Sequence, residues 1–136
     1  MADRPILFSA PMVRALLDGR KTQTRRVLRP RPEFLGGYGE EADYEEWGWI
    51  DEDGAPMSVL DVAPNGYVRG DRLLVREAWR AWVDFDELPP RDIPPGADVQ
   101  YLADDPLSPW TSRYRHARFM PRWASRLTLT VTDVRV

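Results

Sequence analysis

Residues 9–28, SAPMVRALLDGRKTQTRRVL, decide the reading of this chain. Ser9 offers a capping hydroxyl, and Pro11 stands in the first turn, where a missing N–H costs nothing. Met12, Val13, Leu16 and Leu17 recur at helical spacing, and Gly19 supplies a C-terminal stop. The expectation is a helix of about two turns. Beyond it, Thr22, Thr24 and Arg26 would share one face of a strand, and Gln23, Arg25 and Val27 the other. Arg29-Pro30-Arg31-Pro32 would end that strand, because proline cannot continue a hydrogen-bonded ladder.

Working outward, residues 33–66 are acidic and glycine-punctuated, with Tyr38, Tyr44, Trp47 and Trp49 among the carboxylates. Trp47, Trp49 and Met57 point to a hairpin turning at Asp53-Gly54. So many aromatics argue for an insertion that folds rather than a free linker. Gly70-Asp71 opens a turn before the buried strand Arg72–Glu77, and Ala78, Trp79, Ala81 and Trp82 continue it with a bend. Residues 84–109 hold six of the 13 prolines and read as a long loop with one short strand at Val99–Leu102. Leu127, Leu129 and Val131 alternate with Arg126, Thr128, Thr130 and Thr132, the clearest strand pattern in the chain. The phase slips at Thr132-Asp133, which predicts a bulge or bend.

Composition narrows the chemistry. The chain has 136 residues, the length of one ordinary domain. It has no cysteine and one histidine, His116. Thiolate zinc sites, iron–sulfur ligation, cysteine nucleophiles and histidine-rich metal sites are thereby excluded. No Walker, Rossmann or metal-ligand pattern occurs, so neither a cofactor nor a metal is expected. The chain has no 18-residue apolar run and no secretory leader pattern, so the expectation is a cytoplasmic protein without a membrane partner.

The net charge of −3 hides segregation. Residues 1–32 carry eight basic and two acidic residues, whereas residues 33–66 carry ten acidic and none basic. Basic residues again outnumber acidic ones in 67–83 and 110–136, and acidic residues dominate 84–109. Three basic blocks argue for nucleic acid if they meet in space; the plainer alternative is solvated surface charge. Of the 19 basic residues all but Lys21 are arginine, whose fork suits phosphate.

The turn after the first helix concentrates chemistry: the amine of Lys21, the hydroxyls of Thr22 and Thr24, and the guanidiniums of Arg20, Arg25 and Arg26. An amine crowded by cations can serve as a base toward a hydroxyl three residues away. An exposed basic hairpin is the alternative. His116 between arginines is either a phosphate donor or a surface residue.

The segments RPILFSAPMVRALLDGRKTQTRR, GDRLLVREAW and MPRWASRLTLTVTDV resemble the ASCH-domain family, most closely those of bacteriophages and prophages. ASCH domains belong to the PUA-like group of small β-barrels, many of which bind RNA or modified bases. The resemblance covers roughly residues 4–31, 67–82 and 118–136, the same three basic blocks. It implies an α+β, mainly β fold. That fold would be one PUA-like mixed β-barrel domain over 1–136, with a short N-terminal helix and acidic insertions at about 33–66 and 84–109.

The family signature is a glycine, a lysine two on, an acid three further and an arginine two further; here these places hold Gly19, Lys21, Thr24 and Arg26. Threonine replaces the usual glutamate, as in the branch of small amidohydrolases that deacylate N4-acetylcytidine. In that branch the lysine and threonine are the proposed base and nucleophile, which carries over to Lys21 and Thr24. The branch's catalytic glutamate lies on a helix beyond the strand that ends near Val136, so this chain is expected to stop before it. Glu77, near a core strand end, is the candidate acid by position alone.

The reading expected first is binding of RNA, single-stranded nucleic acid or a modified nucleotide in a basic barrel cleft, with Arg20, Arg25, Arg26, Arg76, Arg122 and Arg126 on phosphates. Trp79, Trp82 or Trp123 would be the stacking platform, with core packing the alternative for each. Alternatives are an N4-acetylcytidine-type amidohydrolase or a ribonuclease, and a phage accessory protein-interaction module without nucleotide binding. A barrel lacking its closing segment would leave an open strand edge for homodimerisation.

Overall fold

The computed structural model describes residues 3–27, 33–36, 46–50, 52–58, 67–104 and 111–135. They form one α-helix and eight short strands in mixed sheets, an α+β, mainly β arrangement. The strands are β1 (Asp3–Leu7), β2 (Glu33–Gly36), β3 (Glu46–Ile50), β4 (Pro56–Ser58), β5 (Arg72–Arg76), β6 (Trp79–Ala81), β7 (Val99–Tyr101) and β8 (Thr128–Thr130). The helix α1 is Ala10–Leu17. The chain divides into two compact units: Met1–Thr24 with Asp71–Thr130, and Arg25–Gly70 with Val131–Val136.

In the first unit β5 is the centre of a sheet, parallel to β1 and antiparallel to β8. Helix α1 fills the connection that a parallel pair requires. Alternation along the chain from Arg72 explains the interior. Leu73, Val75, Glu77, Trp79 and Ala81 are all buried, while the residues between them are exposed or half-buried. A period of two therefore runs through β5, across the break at 77–78 and into β6, and it carries one carboxylate inward with the apolar side chains.

Ile6, Phe8, Val13, Leu73 and Val75 are buried core residues of this unit. Trp79, Ala81, Ile93, Met120 and Ala124 form a packed cluster, joined by Phe85, Val99, Tyr101 and Trp123. Strand β6 pairs with β7, and the Trp79 backbone exchanges two hydrogen bonds with Arg115, at 3.1 and 2.9 Å. Ile93 anchors the proline-rich stretch, which contains two short 3-10 turns and the strand expected at 99–102.

Helix α1 forms as expected, with one difference. Ser9 occupies the N-cap, but its hydroxyl makes no capping bond; its carbonyl accepts from Val13 N–H at 2.9 Å. The C-terminus closes as a Schellman turn. Gly19, at φ +71°, donates to Leu16, and Arg20 donates to Ala15.

The strand expected over 22–27 does not form: residues 20–27 belong to no helix or strand. The Ala15 carbonyl accepts from both Arg20 and Lys21 N–H, so the chain folds back onto the helix end instead of entering a ladder. Its expected terminator, Arg29–Pro32, lies outside the described residues.

In the second unit β2, β3 and β4 form an antiparallel sheet with an irregularity between Phe34 and Gly36. The expected hairpin is present: Trp49 pairs with Met57, and Gly54 in the turn has φ +83°. No helix among the described residues is long and apolar enough to cross a membrane.

Candidate functional site

The Schellman turn that ends α1 also builds a cleft. Pro11, Met12 and Ala15 on the helix and Arg20, Lys21, Thr22 and Gln23 after it line a shallow, open cleft of about 470 Å³. Two of its groups are cationic, and they differ in how their charge is held. Arg20 donates to Asp18 Oδ2 from both Nε and Nη2, at 3.3 and 3.0 Å. Lys21 donates from Nζ to the Gln23 carbonyl at 2.7 Å and stands 5.6 Å from the Phe8 ring centre. An uncharged carbonyl and a ring leave the ammonium's charge uncompensated by either contact, while the half-buried stem is fixed in place.

The remaining predicted residues separate. Thr22 lines the cleft, whereas Thr24 is exposed and is not among its walls. Arg25 and Arg26 are exposed. Among the described residues no hydrogen bond joins Lys21 and Thr24, which the resemblance implies, to each other or to Glu77, the candidate by position.

Glu77 is instead 1 % exposed, and both of its oxygens accept from Arg126, Oε2 from Nε and Oε1 from Nη2, each at 3.0 Å. Arg126 turns its third nitrogen to Asp104 at 2.9 Å and lays its guanidinium 4.1 Å from the Tyr101 ring centre. Burial works against the Arg126 charge, but its bonds to Glu77 and Asp104 outweigh that and hold its pKa above the usual guanidinium value. The guanidinium of Arg126 is thus engaged on two carboxylates, Glu77 and Asp104.

Arg122 is likewise engaged, on Asp3, which also forms an ion pair with Arg72 at 3.4 Å. Arg76 donates through Nη1 to the Arg118 carbonyl at 3.3 Å. Trp79 is fully buried, with the Arg115 guanidinium over its ring. Strand parity explains it: Trp79 falls on the inward series of β5 and β6. Trp123 packs against the same cluster, and Trp82 is 48 % exposed. His116 caps a 3-10 turn, its Nδ1 accepting from Arg118 N–H at 3.1 Å.

Sequence reasoning missed Tyr101, Asp104 and Arg115. Arg115 is 5 % exposed, donates to the carbonyls of Phe85 and Leu88 at 2.9 and 3.0 Å, and stacks over Trp79 at 5.4 Å. Burial first, then the neighbouring Arg113, lowers its pKa against the opposing pull of Asp86. Nothing local marks such a residue, because its acceptors lie about thirty positions away.

Among the described residues no cluster of three histidines, cysteines or acids is arranged to hold a metal. Comparison with protein-family profiles, with curated proteins and with solved structures found no match.

Proposed function

We propose that this chain is an ASCH-type domain of the PUA-like group, its sheets completing a small barrel, and that it binds a nucleotide or a short single strand of RNA in the α1 cleft. The observation that carries this reading is Lys21. Lys21 lines the open space beside the helix-terminal turn, and its ammonium contacts, the Gln23 carbonyl and the Phe8 ring, are uncharged. An anionic phosphate or the acceptor edge of a base would complete it. The apolar wall of Pro11, Met12 and Ala15 would take the face of a base or sugar. Of the ASCH signature places, Gly19 is the one the turn itself requires, for its positive φ. The bacterial cytoplasm, including that of a phage-infected host, is the setting this reading implies.

A gel shift with end-labelled single-stranded RNA, at low and moderate salt, beside Lys21→Ala, tests it. The expected result is a complex that both salt and the substitution weaken. Equal binding by the two proteins would reject the cleft. RNA shortened by the parent and not by Lys21→Ala would make the site a ribonuclease, and loss of the acyl group from N4-acetylcytidine an amidohydrolase.

A further inference from the structure

A second surface, sharing no residue with the cleft, points to the same class of ligand. On β5 the side chains of Arg72, Leu74 and Arg76 alternate away from the buried Leu73 and Val75. Register pairs them with Asp3, Pro5 and Leu7 of β1, of which Pro5 and Leu7 are exposed. The segment after His116 is tied to this face at both ends. Arg76 donates to the Arg118 carbonyl, and Arg122 bonds Asp3.

Between those ties stands Phe119. It is 56 % exposed, although this unit buries Trp79 completely. Its ring is not on a loose loop: Ala117–Phe119 is a 3-10 turn capped by the His116 imidazole, and Phe119 N–H donates to the His116 carbonyl at 3.0 Å. The Arg118 guanidinium lies 5.4 Å from the ring centre. Neither Arg118 nor Arg76 forms an ion pair among the described residues, and Asp3 is the one carboxylate set against Arg72 and Arg122.

We propose that Phe119, flanked by Arg118 and Arg76, is a stacking platform for single-stranded nucleic acid. An exposed ring with the Arg118 guanidinium over it, and Arg76 held at the Arg118 carbonyl, offers what such a strand needs: a π-face for a base and cations nearby for its phosphates. A duplex hides its base faces and cannot use the ring. A second copy of the chain fits the surface poorly, because a two-fold interface would oppose four guanidiniums and one carboxylate to the same set. The platform shares its ligand class with the cleft reading but depends on different residues, so each can fail alone.

The test is fluorescence anisotropy with a labelled oligouridine of about 12 nucleotides, long enough for a single-strand site. The proteins are the parent, Phe119→Leu, Phe119→Tyr, Arg118→Gln and Lys21→Ala. Phe119→Leu is expected to weaken binding roughly fivefold or more, while Phe119→Tyr, which keeps the ring, binds as the parent does. Arg118→Gln is expected to weaken binding and to flatten the salt dependence by about one phosphate contact. The complementary duplex is not expected to compete.

Equal binding by the parent and Phe119→Leu, or no binding by the parent, would overturn the platform. So would a sedimenting dimer of the parent that Phe119→Leu dissociates. A loss confined to Lys21→Ala would leave the cleft standing and remove the platform, and a loss confined to the Phe119 and Arg118 variants would do the reverse. Because Phe119 is exposed, unchanged circular dichroism melting of its variants is expected and separates binding from folding.

Discussion

Glu77 and Arg126, 49 positions apart in the chain, close a two-point ion pair with a buried carboxylate on one side and a Tyr101-stacked guanidinium on the other. Removing Arg126 strands the buried Glu77 carboxylate, whereas removing Glu77 leaves Arg126 still paired with Asp104. Arg126→Met is therefore expected to cost about 3–5 kcal/mol of stability, and Glu77→Leu less. The double substitution is expected to cost less than Arg126→Met alone, because no uncompensated buried carboxylate remains. Denaturant melts of the four proteins check this, and strictly additive losses would contradict it.

Trp79 is a core residue with one polar blemish: its indole N–H is buried without a hydrogen-bond partner among the described residues. Trp79→Ala is expected to destabilise by about 3–5 kcal/mol through the cavity it leaves. Trp79→Phe keeps much of the volume and removes the unpaired donor, so it is expected to cost markedly less. Neither is expected to alter oligouridine affinity in the folded protein. Urea unfolding followed by anisotropy on the folded fraction measures both.

Tyr101 donates its hydroxyl to the Ala124 carbonyl at 2.8 Å. Burial raises its pKa above the usual phenol value of 10.0; Arg126 opposes this, and Glu77 and Asp104 add to it. A group that binds its proton more tightly folded than unfolded stabilises the fold until pH rises past its unfolded pKa. Stability should therefore fall as pH climbs through about 10 toward the higher folded pKa. Tyr101→Phe is expected to lose about 1 kcal/mol near neutral pH and to remove this part of the alkaline decline. Melting curves with tyrosinate absorbance across that range decide it.

Asp3 holds Arg72 and Arg122 together at the open end of the β1–β5 face. Both arginines are more than half exposed, so Asp3→Asn is expected to change stability by less than about 1 kcal/mol. It also leaves two guanidiniums without their carboxylate, and oligouridine binding is expected to tighten and become more salt-dependent. Weaker or unchanged binding would separate this end of the face from the nucleic-acid surface.

Local sequence determined the elements whose causes are local. Pro11 and Gly19 mark the first turn and the end of α1, Asp53-Gly54 turns the β3–β4 hairpin, the Gly70-Asp71 turn opens β5, and alternation marks β8. Each rests on a backbone preference or a periodicity that a few neighbouring residues carry by themselves. Tertiary structure decided the rest. Residues 22–27 have strand-like composition but form no strand, because Lys21 N–H is spent on the Ala15 carbonyl. Residues 72–82 read as a buried strand continued with a bend, but that reading does not say which side chains point inward, that Glu77 meets Arg126, or that Trp79 lies under Arg115. Those partners are chosen by which distant segments the sheets bring together. A buried charge must find its counter-charge there, whatever role its sequence position suggests.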